Sequence, residues 1–455
     1  MTALEYLKKT EKKRQQEFFQ LLRFPSVSAK SEHKKDIKAC AQWLVKHLKS
    51  IGFTATLVET KGHPIVHAEY LVDPDATTVL YYGHYDVQPV EPLELWKSKP
   101  FEPVIRSGYV YARGAVDDKG QTFAHIKGLE ATIKATGTLP INVKMVIEGE
   151  EETHSVNLPK FIRKNRKKLA ADIVVVSDTA QFSKTTPAVT FGLRGIAAAE
   201  VFVYGPDRDL HSGSFGGAVG NPLNILCSMV AQLHDKDGKI TIPGFYKQVQ
   251  RVTPWLRMQY RKLPFNEKQY RESVGVNALH GEAGFSTFER VWDRPTLDVN
   301  GITGGYQGEG AKTIIPSYAS CKITMRLVPD MEPGDICDRL ERYLRKIAPK
   351  SVRVKVDKLG GAKGVVVPTD GPWLDAAAKA IKKGFGTAPV YMKEGGSIPI
   401  VVDFKEILGL DTLLIGFAQH DDNVHSPNER FRLIDFERGC RTAAALPEQL
   451  AAVER

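Results

Sequence analysis

The chain contains short runs that are apolar on both faces, and each run stops at acidic residues or a histidine. "TTVLYYGHYD" ends in His84 and Asp86, and "INVKMVIEGEEE" in Glu150, Glu151 and Glu152. "DIVVVSD" ends in Asp178, and "DTLLIGFAQHDD" in His420, Asp421 and Asp422. A strand without a polar face has to be covered on both sides, which is the condition of a parallel sheet between layers of helix. Helical periodicity over residues 4–23, 34–51 and 121–135 supplies those layers. Further strands are expected near 53–59, 65–70 and 77–82. The alternation predicts an α/β domain with a largely parallel central sheet.

Beyond residue 187 the pattern changes. "IAAAEVFVYG" and "SYASCKITMRLVP" alternate like half-buried strands, and amphipathic helices are expected near 222–233 and 335–347. At 455 residues the chain exceeds one ordinary core. The simplest organisation is an α/β domain formed by 1–187 and 360–455, interrupted by a smaller α+β domain at 188–359.

Composition narrows the function classes. Apolar residues make up 42% and charged residues 25%, as in globular proteins. No apolar run reaches the length of a membrane span, and the charged amphipathic N-terminus has no signal-peptide core. The five cysteines are scattered and never spaced as CxxC, which points away from a disulfide framework and towards a cytoplasmic protein. The net charge of +10 is dispersed. Its main cluster, "RKNRKK" at 163–168, closes a helical segment, and no nucleic-acid recognition motif accompanies it. In "GGYQGEGAKT" Ala311 stands between Gly310 and Lys312, so the phosphate-loop spacing is absent.

The acids and histidines at strand ends carry the chemistry. His84 and Asp86 lie two apart and share a face, and Asp117 and Asp118 in "ARGAVDDKG" and His425 in "HSPNE" extend the set. In open α/β sheets ligands bind beyond the carboxyl ends of the strands. Acids converging there repel one another unless a cation neutralises them. Singly, an acidic run is a helix start, an HxD a surface pair and an HSPN a turn. Together, in one order, they define a cation site. Imidazole and carboxylate without thiolate suit catalytic zinc, manganese or cobalt, with ligands enough for two ions.

The stretches "GHYDVQP", "RGAVDDKG", "EGEEE", "VVSD", "DLHSGSFGG", "KTIIPS", "RLVPDM", "EGGSIP" and "HSPNE" follow in an order that resembles the di-zinc metallopeptidase family of carnosinases, carboxypeptidase G, aminoacylases and succinyl-diaminopimelate desuccinylase. The likeness is greatest to its carnosinase-type dipeptidase branch. The resemblance implies two divalent ions per subunit, zinc with manganese or cobalt as alternatives. His84 and Asp178 would hold one, Glu152 and His425 the other, and Asp117 would bridge them across a cis Asp117–Asp118 peptide. Asp86 would orient the His84 ring. Glu151 would be the general base that passes a proton from water to the leaving amine. The inserted domain would serve as lid and dimerisation domain of a homodimer. Its His211 would stabilise the tetrahedral oxyanion in the partner subunit's site, Arg326 would bind the substrate's terminal carboxylate, and Thr313 and Ser397 would add substrate contacts. The implied activity is exopeptidase cleavage of dipeptides or short peptides with a free C-terminal carboxylate. Deacylation of N-acyl amino acids is the alternative, and neither nucleic acid nor membrane is an expected partner. One departure stands out: Thr153-His154 replaces a pair that ends in glycine elsewhere in the family.

Overall fold

The apolar runs form one sheet in the order Thr54–Val58, Ile65–Tyr70, Asn142–Glu148, Thr78–His84, Ile173–Val176, Thr412–Leu414 and Ala188–Leu193. The computed structural model describes residues 1–454. Asn142–Glu148, Thr78–His84, Ile173–Val176 and Thr412–Leu414 pair in parallel. The outer pairings are antiparallel. In the parallel centre nearly every side chain is buried, Val79, Leu80, Val146 and Val174 among them, with Thr78 and Lys144 half-buried. The fold is α/β with a mostly parallel central sheet.

Helix Lys119–Thr136 is buried from Lys119 through Ile133 and packs against helix Leu433–Ala451. The single helix expected over 4–23 is instead two, Ala3–Lys9 and Glu11–Leu22. The break falls at Thr10, whose φ of −102° and ψ of 11° leave the helical region.

The chain divides into two compact units, one of residues 1–191, 367–392 and 400 onward, the other of 192–366 with 393–399. The second unit has an antiparallel sheet in the order Thr296–Gly304, Tyr318–Leu327, Gly195–Tyr204 and Arg353–Ala362. Gly195–Tyr204 alternates strictly between buried and half-buried positions. Ala197, Ala199, Val201 and Val203 form a core with Leu226 and Met229 of helix Pro222–Ala231 and with Ile336, Leu340 and Leu344 of helix Pro333–Ile347. Among the described residues no helix is long and apolar enough to cross a membrane.

Candidate metal centre

Parallel register decides where the polar residues emerge. His84 pairs with Glu148, and Tyr82 with both Val146 and Val176. The ends of these strands are therefore level, and His84, the turn through Glu151 and Glu152, and Asp178 leave the sheet together. Asp117 arrives just ahead of helix Lys119–Thr136, and its peptide bond to Asp118 is cis. His425 lies on the loop after Thr412–Leu414, in the left-handed region with φ 60°.

These side chains form two groups that share one carboxylate. His84 Nε2 lies 3.2 Å from Asp117 Oδ1 and 4.0 Å from Asp178 Oδ2. His425 Nε2 lies 2.9 Å from Asp117 Oδ2 and 3.3 Å from Glu152 Oε2. Within each group of three, the potential ligand atoms all fall within 4.8 Å of one another. His84 Nδ1 sits 3.1 Å from the Asp86 carbonyl oxygen and 3.4 Å from its Oδ1. Asp86 thus holds the Nδ1–H, and Nε2 is the ring nitrogen directed at the acids. The Asp86 carboxylate also accepts the backbone N–H groups of Glu151 at 3.2 Å and Glu152 at 3.1 Å. It thus ties two of the converging segments together.

The electrostatics are those of a site built around cations. Burial and the negative charge of Asp117 push the Asp178 carboxyl well above the usual range, and the same two causes raise Glu152. Hydrogen bonds from His425 and His84 outweigh burial and hold Asp117 below its ordinary value. Hydrogen bonds to Asp117 and Glu152 carry His425 up to about 10. Burial lifts Glu151 to about 7, with Asp117 and Glu152 adding to the rise, and its carboxylate makes no hydrogen bond within the described residues. Protonated imidazoles here occupy the place of positive charge. Divalent ions would replace them and remove the repulsion, so the donor set fits two such ions. A third group, Glu17, His47 and Glu130, also converges. Lys127 already donates to Glu17 at 2.6 Å and to Glu130, so that cluster carries its own cation.

The second unit holds the other predicted residues in two pairs. His211 is exposed, and its Nδ1 accepts the N–H groups of Gly213 at 3.1 Å and Ser214 at 3.3 Å. Its proton therefore sits on Nε2, which makes that atom a donor. Thr313 is its neighbour, accepting the Ser212 N–H on its carbonyl at 3.0 Å. Arg326, half-buried, donates to Ser397 Oγ at 3.2 Å and has no carboxylate partner among the described residues.

Sequence reasoning passes over two residues. Gln88 donates its side-chain amide to Glu152 Oε2 at 2.7 Å. Arg194 is a buried guanidinium, pushed down to about 10 by burial and by the charge of Arg326. An arginine closing the apolar strand "AVTFGLR" is the same signal that singles out Arg326. At the departure noted above, His154 adopts φ 74°, ψ 23°, a left-handed conformation that closes the turn carrying Glu151 and Glu152.

The model of peptidase family M20/M25/M40 matches residues 80–449. Among similar chains, the Cys-Gly metallodipeptidase DUG1 of Candida albicans is 32% identical over 438 residues, spanning 92% of this chain and 90% of that one. The Beta-Ala-His dipeptidase of Homo sapiens is 33% identical over 393 residues, spanning 85% and 78%. The crystal structure of human carnosine dipeptidase 1 superposes with a TM-score of 0.86 at 29% identity, covering 99% of this chain and 98% of that one. The chain belongs to peptidase family M20/M25/M40. It is a metal-dependent hydrolase of the dipeptidase type.

Proposed function

We propose that this enzyme removes the C-terminal residue from dipeptides or short peptides with a free terminal carboxylate, using two divalent ions, zinc with manganese or cobalt as alternatives. The observation that carries the reading is the sharing of Asp117, one oxygen facing His84 and Asp178, the other facing Glu152 and His425. Bound ions of this kind polarise a carbonyl and make water nucleophilic near neutral pH. Glu151 is the general base. A carboxyl raised to about 7 and free of hydrogen bonds suits a group that takes a proton from water and delivers it to the departing amine. Asp86 positions His84.

His211 Nε2–H donates to the oxygen of the tetrahedral intermediate. Arg326 receives the terminal carboxylate, and Thr313 and Ser397 add substrate contacts. A guanidinium half out of water with no acidic partner supports that role. The second unit, the inserted domain, pairs two copies into a homodimer, and His211 serves the partner subunit. The scattered free cysteines support a reducing cytoplasm.

The test is turnover of a panel of free-acid dipeptides beside N-acyl amino acids, after metal removal and reconstitution with zinc, manganese or cobalt. Metal-restored cleavage of dipeptides is expected. Faster turnover of N-acyl amino acids would move the reading to deacylation.

A further inference from the structure

Glu429 ends the stretch "HSPNE", four residues beyond His425, and the chemistry above gives it no task. It is wholly buried. Its Oε2 accepts Arg113 Nη1–H at 2.9 Å and the Gly114 N–H at 2.9 Å. Its Oε1 accepts the N–H groups of Val116 at 3.0 Å and of Asp117 itself at 3.2 Å. Gly114 has φ 80°, a turn that lets successive N–H groups converge on one anion. Arg113, 1% exposed, extends its other arm to the Pro89 carbonyl at 3.0 Å.

One carboxylate therefore joins three segments: 84–89, which begins with His84, 113–117, which ends with Asp117, and 425–429, which begins with His425. Taking a carboxylate wholly out of water is costly unless every lone pair is used, and here four donors use them. An apolar residue would fill the space equally well. It would hold neither the Asp117 amide nor Arg113.

We propose that Glu429 is a positioning residue that sets Asp117 and His425 at the spacing their shared ion requires, while touching neither ion nor substrate. The inference rests on the metal reading of the site. Glutamine is the discriminating replacement. It keeps the shape, offers one acceptor oxygen, and turns its NH2 group towards donors. Arg113→Lys is a second, milder variant, which keeps the charge opposite Glu429 and loses the fork that also reaches Pro89.

The experiment compares wild type, Glu429→Gln and Arg113→Lys by circular dichroism, by chelator competition for zinc, and by the absorption spectrum after loading with cobalt. Loss of the partner behind a metal ligand typically costs about 10- to 100-fold in metal affinity. We expect a loss of that size in folded Glu429→Gln, a smaller loss in Arg113→Lys, an altered cobalt spectrum, and an unchanged KM at saturating metal. Zinc affinity within twofold of wild type in a folded Glu429→Gln overturns the proposal. If that variant does not fold, unchanged affinity in Arg113→Lys overturns it instead. A wild-type protein that binds no zinc or cobalt overturns the metal reading itself, a different outcome.

Discussion

Glu151 and Glu152 are adjacent and chemically identical, yet their surroundings separate them. Glu152 meets His425 and Gln88, whereas Glu151 makes no bond with its carboxylate. Glu151→Gln should therefore leave both ions bound and lower kcat by at least ~10²–10⁴-fold, the usual worth of a general base. Asp117→Asn should lose metal as well as rate. Metal analysis and single-turnover rates of the two purified proteins test the assignment, and near-normal turnover by Glu151→Gln would sink it. Arg326 gives a second residue-scale prediction. Charge-assisted hydrogen bonds contribute roughly 1.5–3 kcal/mol, so Arg326→Ala should reduce kcat/KM for free-acid dipeptides about tenfold or more. C-terminal amides should suffer much less. Equal losses on both substrates would make Arg326 structural. Residue chemistry was largely legible in the sequence, since a side chain's ability to ligate or donate is carried by its type. The protonated nitrogen of His211 was not legible, because the amides of Gly213 and Ser214 decide it.

Helix Lys119–Thr136 shows what periodicity misses at the scale of an element. Its Gln121, His125, Lys127 and Glu130 are polar, yet all are buried. Lys127 meets Glu17 and Glu130, while His125 Nε2 meets Ser177 Oγ at 2.5 Å. The helix can be so enclosed because Gly128 admits its neighbour Leu433–Ala451. A Cβ there would lie 2.5 Å from Ala443 Cβ and 2.6 Å from the Ala444 backbone nitrogen. Gly128→Val should push the helices apart and destabilise the protein by about 1–3 kcal/mol or more, the usual effect of overpacking. Because this helix starts two residues after Asp117, metal affinity should fall with stability. Thermal midpoints with and without zinc measure both effects, and an unchanged midpoint would contradict the packing argument. The break at Thr10 was equally hidden, since threonine at that point fits a helix by pattern.

Two further predictions concern the molecule as a whole. The first is a pH dependence of the metal-free protein. Burial raises the Glu148 carboxyl from 4.5 to about 8, while Tyr82 and Ser155 each donate to its Oε1 at 2.8 Å. The folded state keeps a proton that the unfolded chain releases. This stabilisation is complete below about pH 4.5 and is lost as pH rises towards 8, with a slope of at most ~1.4 kcal/mol per pH unit for one proton. His425, raised from 6.5 to about 10, acts in the same direction between those values. Buried His47, His67 and His125, held below 6.5, act in the opposite direction up to that pH. The test is therefore the difference: between pH 5 and 8 the thermal midpoint of chelated wild type should lose ground relative to that of chelated Glu148→Gln. A Glu148→Gln profile parallel to that of wild type would refute the assignment.

The second prediction follows from the proposed exchange of His211 between subunits. Inactive His211→Ala mixed with inactive Glu151→Gln, under conditions of subunit exchange, should regain activity, because a heterodimer holds one site with neither defect. Verified exchange with no recovery would confine His211 to its own subunit or remove it from catalysis.

The sequence by itself determined the layered α/β architecture and the ligand types waiting at strand ends. Both are local properties: an apolar run has to be covered, and an acid or imidazole at its end has to face something. Tertiary structure alone decided which oxygen of Asp117 faces which histidine, and that Lys127 closes the rival cluster at Glu17. It also decided that Glu429 reaches back to the amides of Gly114, Val116 and Asp117. Those contacts join residues that can be more than three hundred positions apart. They depend on strand register and loop conformation, which no local pattern encodes.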